Sequence, residues 1–415
     1  QRVEVTPVLS ATNYRIPETI QVSGKVGLEI QSYDKLDGAE NQNGFPRFEV
    51  SDDSGLLFKL LVDKVDFNFT RHFLLHTHLN RFTKLYHQKD LKFSFITPHS
   101  TGTGALELEP GKKKNIQVKL IDAYNNTRIV QLNLAGADLD STRSDGAAPP
   151  KAQVSYYKNI MKIKVAQSSK GGLAKFEVGN TSYEILPAYQ DAASRTYLWD
   201  LRFGIPKKID LCSEIYTPDI IGHFPVDREH VHANAKLQIR TDSNSLLEDL
   251  YLRVSHSGSA NAPVLNLGET TTYLWNPIEA TWDVSGFAGN KAKTQVYQRA
   301  GNGALSYLGG EWIGNQIRFK TRNFGSFVLA EDATKPSISP IKVNAQGMRF
   351  TIRDNMSGIK SFEAFVNGEW VWMRYEHKQA VIWSEPMNGQ SLKGPAILRV
   401  TDQAGNVAEW RGTLN

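Results

Sequence analysis

Apolar and polar residues alternate along this chain in short stretches divided by turn formers, the two-residue period of half-buried β-strands. Ile20, Val22, Val26, Leu28 and Ile30 alternate with Gln, Ser, Lys and Glu, and Ile116, Val118 and Leu120 do the same further on. Met161 to Val165, Lys175 to Val178, Tyr197 to Phe203 and Lys208 to Leu211 continue the pattern. So do Lys236 to Ile239, Asp249 to Val254, Phe324 to Leu329 and Met348 to Ile352. One stretch breaks it. Arg71 to Tyr86 predicts a partly helical insertion around residues 70–90, before Leu91, Phe93 and Phe95 resume the alternation. Ser243 to Asp249 predicts a single helical turn capped by Ser243.

The last strands give the pattern its clearest form. Leu398 and Val400 lead to Asp402, whose carboxylate can fold back onto following amides, and Gly405-Asn406 tolerates the left-handed reversal. Val118, Leu120 and Asp122 lead the same way to Asn125-Asn126. Such an Asp-x-x-Gly-Asn hairpin looks like the last two strands of bacterial immunoglobulin-like modules. Upstream of each hairpin stands a matching strand, Arg47-Phe48-Glu49-Val50 in one case and Ser361-Phe362-Glu363-Ala364 in the other. A repeat of about 80 to 130 residues is too long for a solenoid and fits separate sandwiches. The expected class is therefore all-β, with tandem immunoglobulin-like β-sandwich domains. They are placed at 1–140 with the insertion, 147–227, 228–331 and 332–415, and Ser141 to Pro150 serves as a linker by its composition.

Composition narrows the class of protein. A chain of 415 residues exceeds what one core fills, and 22% charged with 40% hydrophobic residues is ordinary for a globular protein. The net charge of +5 is spread along the length, with Lys112 to Lys114 as its one compact basic run, so a nucleic-acid groove has little support. Cys212 stands alone, which excludes an intrachain disulfide and a multi-cysteine metal site, and it reads as a small buried hydrophobe. No apolar run approaches the roughly 20 residues of a membrane helix. Residue 1 is Gln, so a processed or partial form is expected.

An ordered set of segments carries a family resemblance. It comprises Val22 to Gly27, Tyr33 to Ala39, the Asp122 hairpin, Phe324 to Leu329 and the Asp332-x-Thr334-x-Pro336 step. Asp354 to Ile359 and Gly368 to Trp370, with Met373, Tyr375 and Lys378, complete it. The set resembles the long region downstream of the catalytic domain in large Gram-negative members of the lysostaphin/LytM-type zinc endopeptidases, which cut peptide cross-links in peptidoglycan. That family holds zinc with an H-x-G-x-D segment and a later H-x-H, leaving a position open for the attacking water. This chain has no H-x-G-x-D. His223-Phe-Pro225-Val-Asp227 has Pro where the family has Gly, and stands too close to His230. The resemblance thus implies that this chain carries no catalytic or cofactor residues, and that zinc belongs to a domain encoded upstream of Gln1.

Other chemistry is weighed against structural readings. His76 and His78, or His230 and His232, have H-x-H spacing, and a strand would put such rings on one face, with His223 or Asp227 as further candidates. A polar surface explains them as well. The acidic stretches Asp34 to Glu40, Asp52-Asp53 and Asp354-Asn355 offer oxygens to calcium, although turn chemistry alone accounts for them. Trp370, Trp372, Tyr375 and Trp383 can stack on sugar rings, but the expectation is that they pack a sandwich core.

The expected function is a non-catalytic scaffold or targeting region of a periplasmic cell-wall endopeptidase, positioning the enzyme on peptidoglycan or docking it to envelope proteins. One alternative is a non-enzymatic subunit of an outer-membrane or secretion complex. The other is a carbohydrate-binding sandwich.

Overall fold

The structure, a computed structural model, describes residues 3–78, 81–87, 103–137, 149–167, 172–385 and 391–415. Strands dominate, and they fold into consecutive β-sandwiches, so the all-β tandem-sandwich expectation is met. Gln1–Asp200 with Pro206–Tyr216 forms one compact unit, and Leu201–Ile205 with Thr217–Asn415 another. Among the described residues no helix is long and apolar enough to cross a membrane.

In the first unit, a six-stranded sheet runs in the order Val8–Ser10, Asn13–Val22, Thr127–Gly136, Lys113–Ile121, Arg47–Asp52, Gly55–Leu61. Two small sheets share its core: Gly24–Val26 with Leu106–Leu108, and Glu29–Ile30 with Phe82–Lys84 and Thr77–His78. Phe48, Val50, Phe58, Leu60, Val118 and Leu134 fill that core, with Val26, Leu28 and Ile30 packed against it. The insertion is partly helical as expected. A 3-10 turn, Phe67–Phe69, is capped by Asp66, and helix His72–His76 follows it. Leu91, Phe93, Phe95 and positions 141–148 of the linker lie outside the described residues.

The second sandwich of this unit pairs two four-stranded sheets. One is Gln153–Tyr157, Ile160–Ala166, Ser194–Asp200, Tyr189–Gln190; the other is Thr181–Ile185, Ala174–Val178, Lys208–Asp210, Ile215–Tyr216. Phe176 and Trp199, one from each sheet, stack with centroids 4.9 Å apart. Cys212 is half-buried with φ +65°, its thiol donating to Leu173 O at 2.9 Å, rather than the buried small hydrophobe expected.

The second unit opens with a sandwich of a six-stranded and a five-stranded sheet. Its core includes Phe224, Ile239, Leu252, Leu265, Trp282 and Phe327. The expected boundary at 227/228 is corrected here. Strand Ile220–Phe224 pairs with Leu250–Ser259 and drives Phe224 into this core, so the sandwich begins near Thr217 and its predecessor ends near Tyr216. The expected helical turn at 243–249 is replaced by a turn in which Ser245 Oγ accepts from the Asp242 amide, followed by a bridge from Leu246 to Leu274.

The last sandwich has two four-stranded sheets. Ser337–Asn344, Gly347–Arg353, Val381–Ser384 and Met373–Glu376 form one; Glu369–Val371, Ile359–Val366, Gly394–Asp402 and Val407–Leu414 form the other. Met348, Phe350, Ile352, Ala364, Leu398 and Val400 make its core. The echo between the two ends of the sequence is real in three dimensions. Phe48 pairs with Leu120, two residues before Asp122, and Phe362 pairs with Val400, two residues before Asp402. Both hairpins reverse through a left-handed residue at the same place, Asn125 at φ +67° and Gly405 at φ +77°.

Candidate metal centre

Three aspartates converge where the two sandwiches of the second unit meet. Asp332 directly follows strand Gly325–Glu331, Asp354 follows strand Gly347–Arg353, and Asp402 ends strand Gly394–Asp402. One carboxylate oxygen from each lies within 4.8 Å of the other two. Asp332 and Asp402 are fully buried and Asp354 is half-buried.

Backbone amides hold the carboxylates in place. Asp332 Oδ1 accepts from the Thr334 amide and Oδ2 from the Ser357 amide, both at 3.2 Å. Asp354 Oδ2 accepts from the amides of Met356 at 3.0 Å and Gly358 at 2.7 Å. Its other oxygen, Oδ1, is buried and receives no hydrogen bond. Asp402 accepts from the amide of Asn406 at 2.7 Å and from its side chain at 2.8 Å. Lys293 reaches the same corner, but its ammonium donates to Ala404 O at 3.1 Å.

Tyr297, on strand Thr294–Arg299, is fully buried, and its hydroxyl has no hydrogen-bond partner. Burial raises the pKa of its phenol, and the charges of Asp332, Tyr307, Asp354 and Asp402 raise it further. The donors on offer are hard carboxylate oxygens without nitrogen or sulfur, which suits Ca²⁺ or Mg²⁺ rather than zinc. Among the described residues this is the one group of three or more His, Cys, Asp or Glu side chains placed to hold a metal ion.

The candidates read from the sequence are arranged differently. His78 pairs with Glu29 at 2.9 Å, and His76 is buried, its pKa lowered to about 4 by burial and by Lys84 and His87. His223 contacts Asp249 at 3.1 Å and stacks on Tyr251. His230 and His232 both lie against the ring of Phe224, at 4.5 and 6.4 Å. Asp52, pushed up by burial, is nevertheless held down to about 2 by Lys114 and Ser54, so its charge is already answered. Of the acidic stretches, only Asp354 contributes to the cluster. Asp332 and Asp402 were visible in the sequence as a domain step and a hairpin, with no sign that they meet.

The expectation for the last-domain aromatics fails at Trp370 and Trp372. They are 58% and 48% exposed, and Tyr375 is 40% exposed. Trp370 lies in strand Glu369–Val371 and Trp372 in the link to strand Met373–Glu376 of the other sheet, and the burial of Val371 and Met373 leaves both indoles outside. The guanidinium of Arg374 lies 5.7 Å from the ring centre of Trp372.

Residues 222–332 match the sequence model of a Zu5-like domain. That span runs from within the first strand of the third sandwich to Asp332. Among solved structures, the chain is similar to the full extracellular region of plexin A4, at 8% identity and a TM-score of 0.15, covering 97% of this chain and 43% of that one. It is also similar to the N-terminal eight Ig domains of Down Syndrome Cell Adhesion Molecule isoform 1.30.30, at 8% identity and a TM-score of 0.15, covering 100% of this chain and 70% of that one. The chain thus spans less than half the length of the plexin region. No curated protein matches it.

Proposed function

We propose that this chain is a non-catalytic scaffold and targeting region of a periplasmic cell-wall endopeptidase, and that it holds the peptidase on peptidoglycan. The observation that carries the reading is the outward placement of Trp370 and Trp372 on the last sandwich. Two large indole faces left in water are costly unless something covers them, and indole faces suit the apolar faces of sugar rings. The ordered sequence motifs shared with the downstream regions of lysostaphin/LytM-type enzymes supply the cell-wall context. The test is incubation of the purified chain with peptidoglycan sacculi, with and without zinc. The expected result is that the chain pellets with the sacculi and releases no soluble peptide fragments. Release of fragments, or failure to pellet, contradicts the proposal.

A second reading, docking to an envelope protein complex, is favoured by the edge strand Val8–Ser10. It exposes Val8 and Leu9, at 46% and 64%, beside open backbone groups suited to strand addition. Pelleting with outer-membrane fractions but not with sacculi would select it.

A further inference from the structure

We propose that Asp332, Asp354 and Asp402 bind a single Ca²⁺ ion, and that this ion fastens the third sandwich to the fourth. The inference is independent of the peptidoglycan reading, because it uses none of the residues that carry that reading.

Charge is the first argument. Two fully buried carboxylates and a half-buried third stand together, and buried charges are paired or bound to metals. Among the described residues, none of the three forms an ion pair, and the ammonium of Lys293 is spent on a carbonyl. Amide hydrogen bonds to Asp332, Asp354 and Asp402 orient the oxygens but bring no full positive charge.

Two unpartnered polar atoms supply the second argument. The hydroxyl of Tyr297 is fully buried, near enough to all three carboxylates to feel their charges, and donates to none of them. Asp354 Oδ1, also buried, accepts from nothing. Leaving such groups unmade costs about 1–3 kcal/mol each, so a native site rarely keeps both without a further component. A cation bound at Asp354 Oδ1, with a coordinated water or repositioned carboxylate oxygen accepting from Tyr297, satisfies both at once.

Size selects the ion. Ca²⁺ takes oxygens at 2.3–2.6 Å, so oxygens on opposite sides of one ion stand about 4.6–5.2 Å apart. The three oxygens, all within 4.8 Å of one another, can reach one ion at those distances. Mg²⁺ prefers to keep several waters, which a buried corner accommodates poorly, whereas Ca²⁺ accepts a flexible all-oxygen shell.

The consequence is mechanical. Asp332 belongs to the exit of the third sandwich, whereas Asp354 follows one strand of the fourth and Asp402 ends another. Asp332 and Asp402 already share Asn406, whose side chain donates to Asp332 O at 2.9 Å and to Asp402. An ion among them links the same two sandwiches more strongly than the neutral bonds do.

The test uses the full chain. Native mass spectrometry after calcium loading and EGTA washing counts bound ions, and terbium luminescence excited through tyrosine reports an ion near Tyr297. One Ca²⁺ per chain is expected, with the melting temperature rising by about 5 °C at saturating calcium. Asp354→Asn, which keeps the size of a half-exposed side chain, should weaken Ca²⁺ binding about tenfold or more while leaving the chain folded by circular dichroism. Asp402→Asn should do the same, and if that variant fails to fold, the wild-type ion count still decides. No bound calcium in the wild-type chain, binding unchanged in Asp354→Asn, or a preference for Mg²⁺ or Zn²⁺ overturns the proposal.

Discussion

Asn406 clasps Asp402, giving it an amide at 2.7 Å and a side-chain nitrogen at 2.8 Å, and the same side chain also reaches the carbonyl of Asp332 at 2.9 Å. In the first sandwich Asn126 clasps Asp122 in the same way, with both contacts at 2.7 Å, but there the Asn is exposed. One hairpin design thus serves a free end in one place and a domain junction in the other.

That difference gives a paired prediction. Asn406→Ala strips buried acceptors on two sandwiches and should cost about 2–3 kcal/mol, whereas Asn126→Ala should cost about 1 kcal/mol because water replaces the lost donor. Urea unfolding monitored by tryptophan fluorescence measures both. Equal costs would mean that the junction contact to Asp332 adds nothing.

His76 makes the first sandwich sensitive to acid. Its folded pKa lies at about 4, against an ordinary value near 6.5, because burial and then the charges of Lys84 and His87 disfavour the imidazolium. Between those values the unfolded chain binds a proton that the folded chain does not. Stability is therefore complete above pH 6.5 and falls as the pH drops toward 4, by about 3 kcal/mol in all. His76→Gln should flatten that slope in unfolding curves taken at successive pH values.

The backbone makes a close approach at Gly136. A Cβ there would stand 1.9 Å from Glu109 O, where Gly136 also bonds to Gly111 and Lys112 across the turn. Gly136→Ala should cost about 2 kcal/mol or more. Gly44, with no atom within 4 Å of the added Cβ, should accept Ala within about 0.5 kcal/mol. Thermal unfolding of the two variants separates steric cost from a general effect of replacing glycine.

Strand alternation made the architecture legible. The Phe48 and Phe362 strands, recognised from short matching stretches, take the same register against the Asp122 and Asp402 hairpins. Local pattern cannot say which of two faces is inside, and that is where Trp370 and Trp372 were misplaced: Val371 and Met373 fill the inner positions, so the bulkier indoles go outward. The boundary at 227/228 failed for a related reason. Ile220–Phe224 is a strand to either neighbour by composition, and only its pairing with Leu250–Ser259 assigns it.

The aspartate cluster was the least legible part. Each of Asp332, Asp354 and Asp402 has a sufficient local role at a turn or domain step, accepting nearby amides. Their meeting depends on how two sandwiches pack, which no window of sequence contains. The available signal was that Asp332 and Asp354 fall within the ordered motif set, while Asp402 showed only as the turn of the last hairpin.

The central claim is that the last sandwich presents its tryptophans to the cell wall, and co-sedimentation with purified sacculi tests it most directly. The variant carrying Trp370→Ala and Trp372→Ala should unfold at the wild-type midpoint, since both side chains are exposed, yet lose about tenfold or more in sacculus affinity. A variant that pellets as well as the wild-type chain would contradict the account.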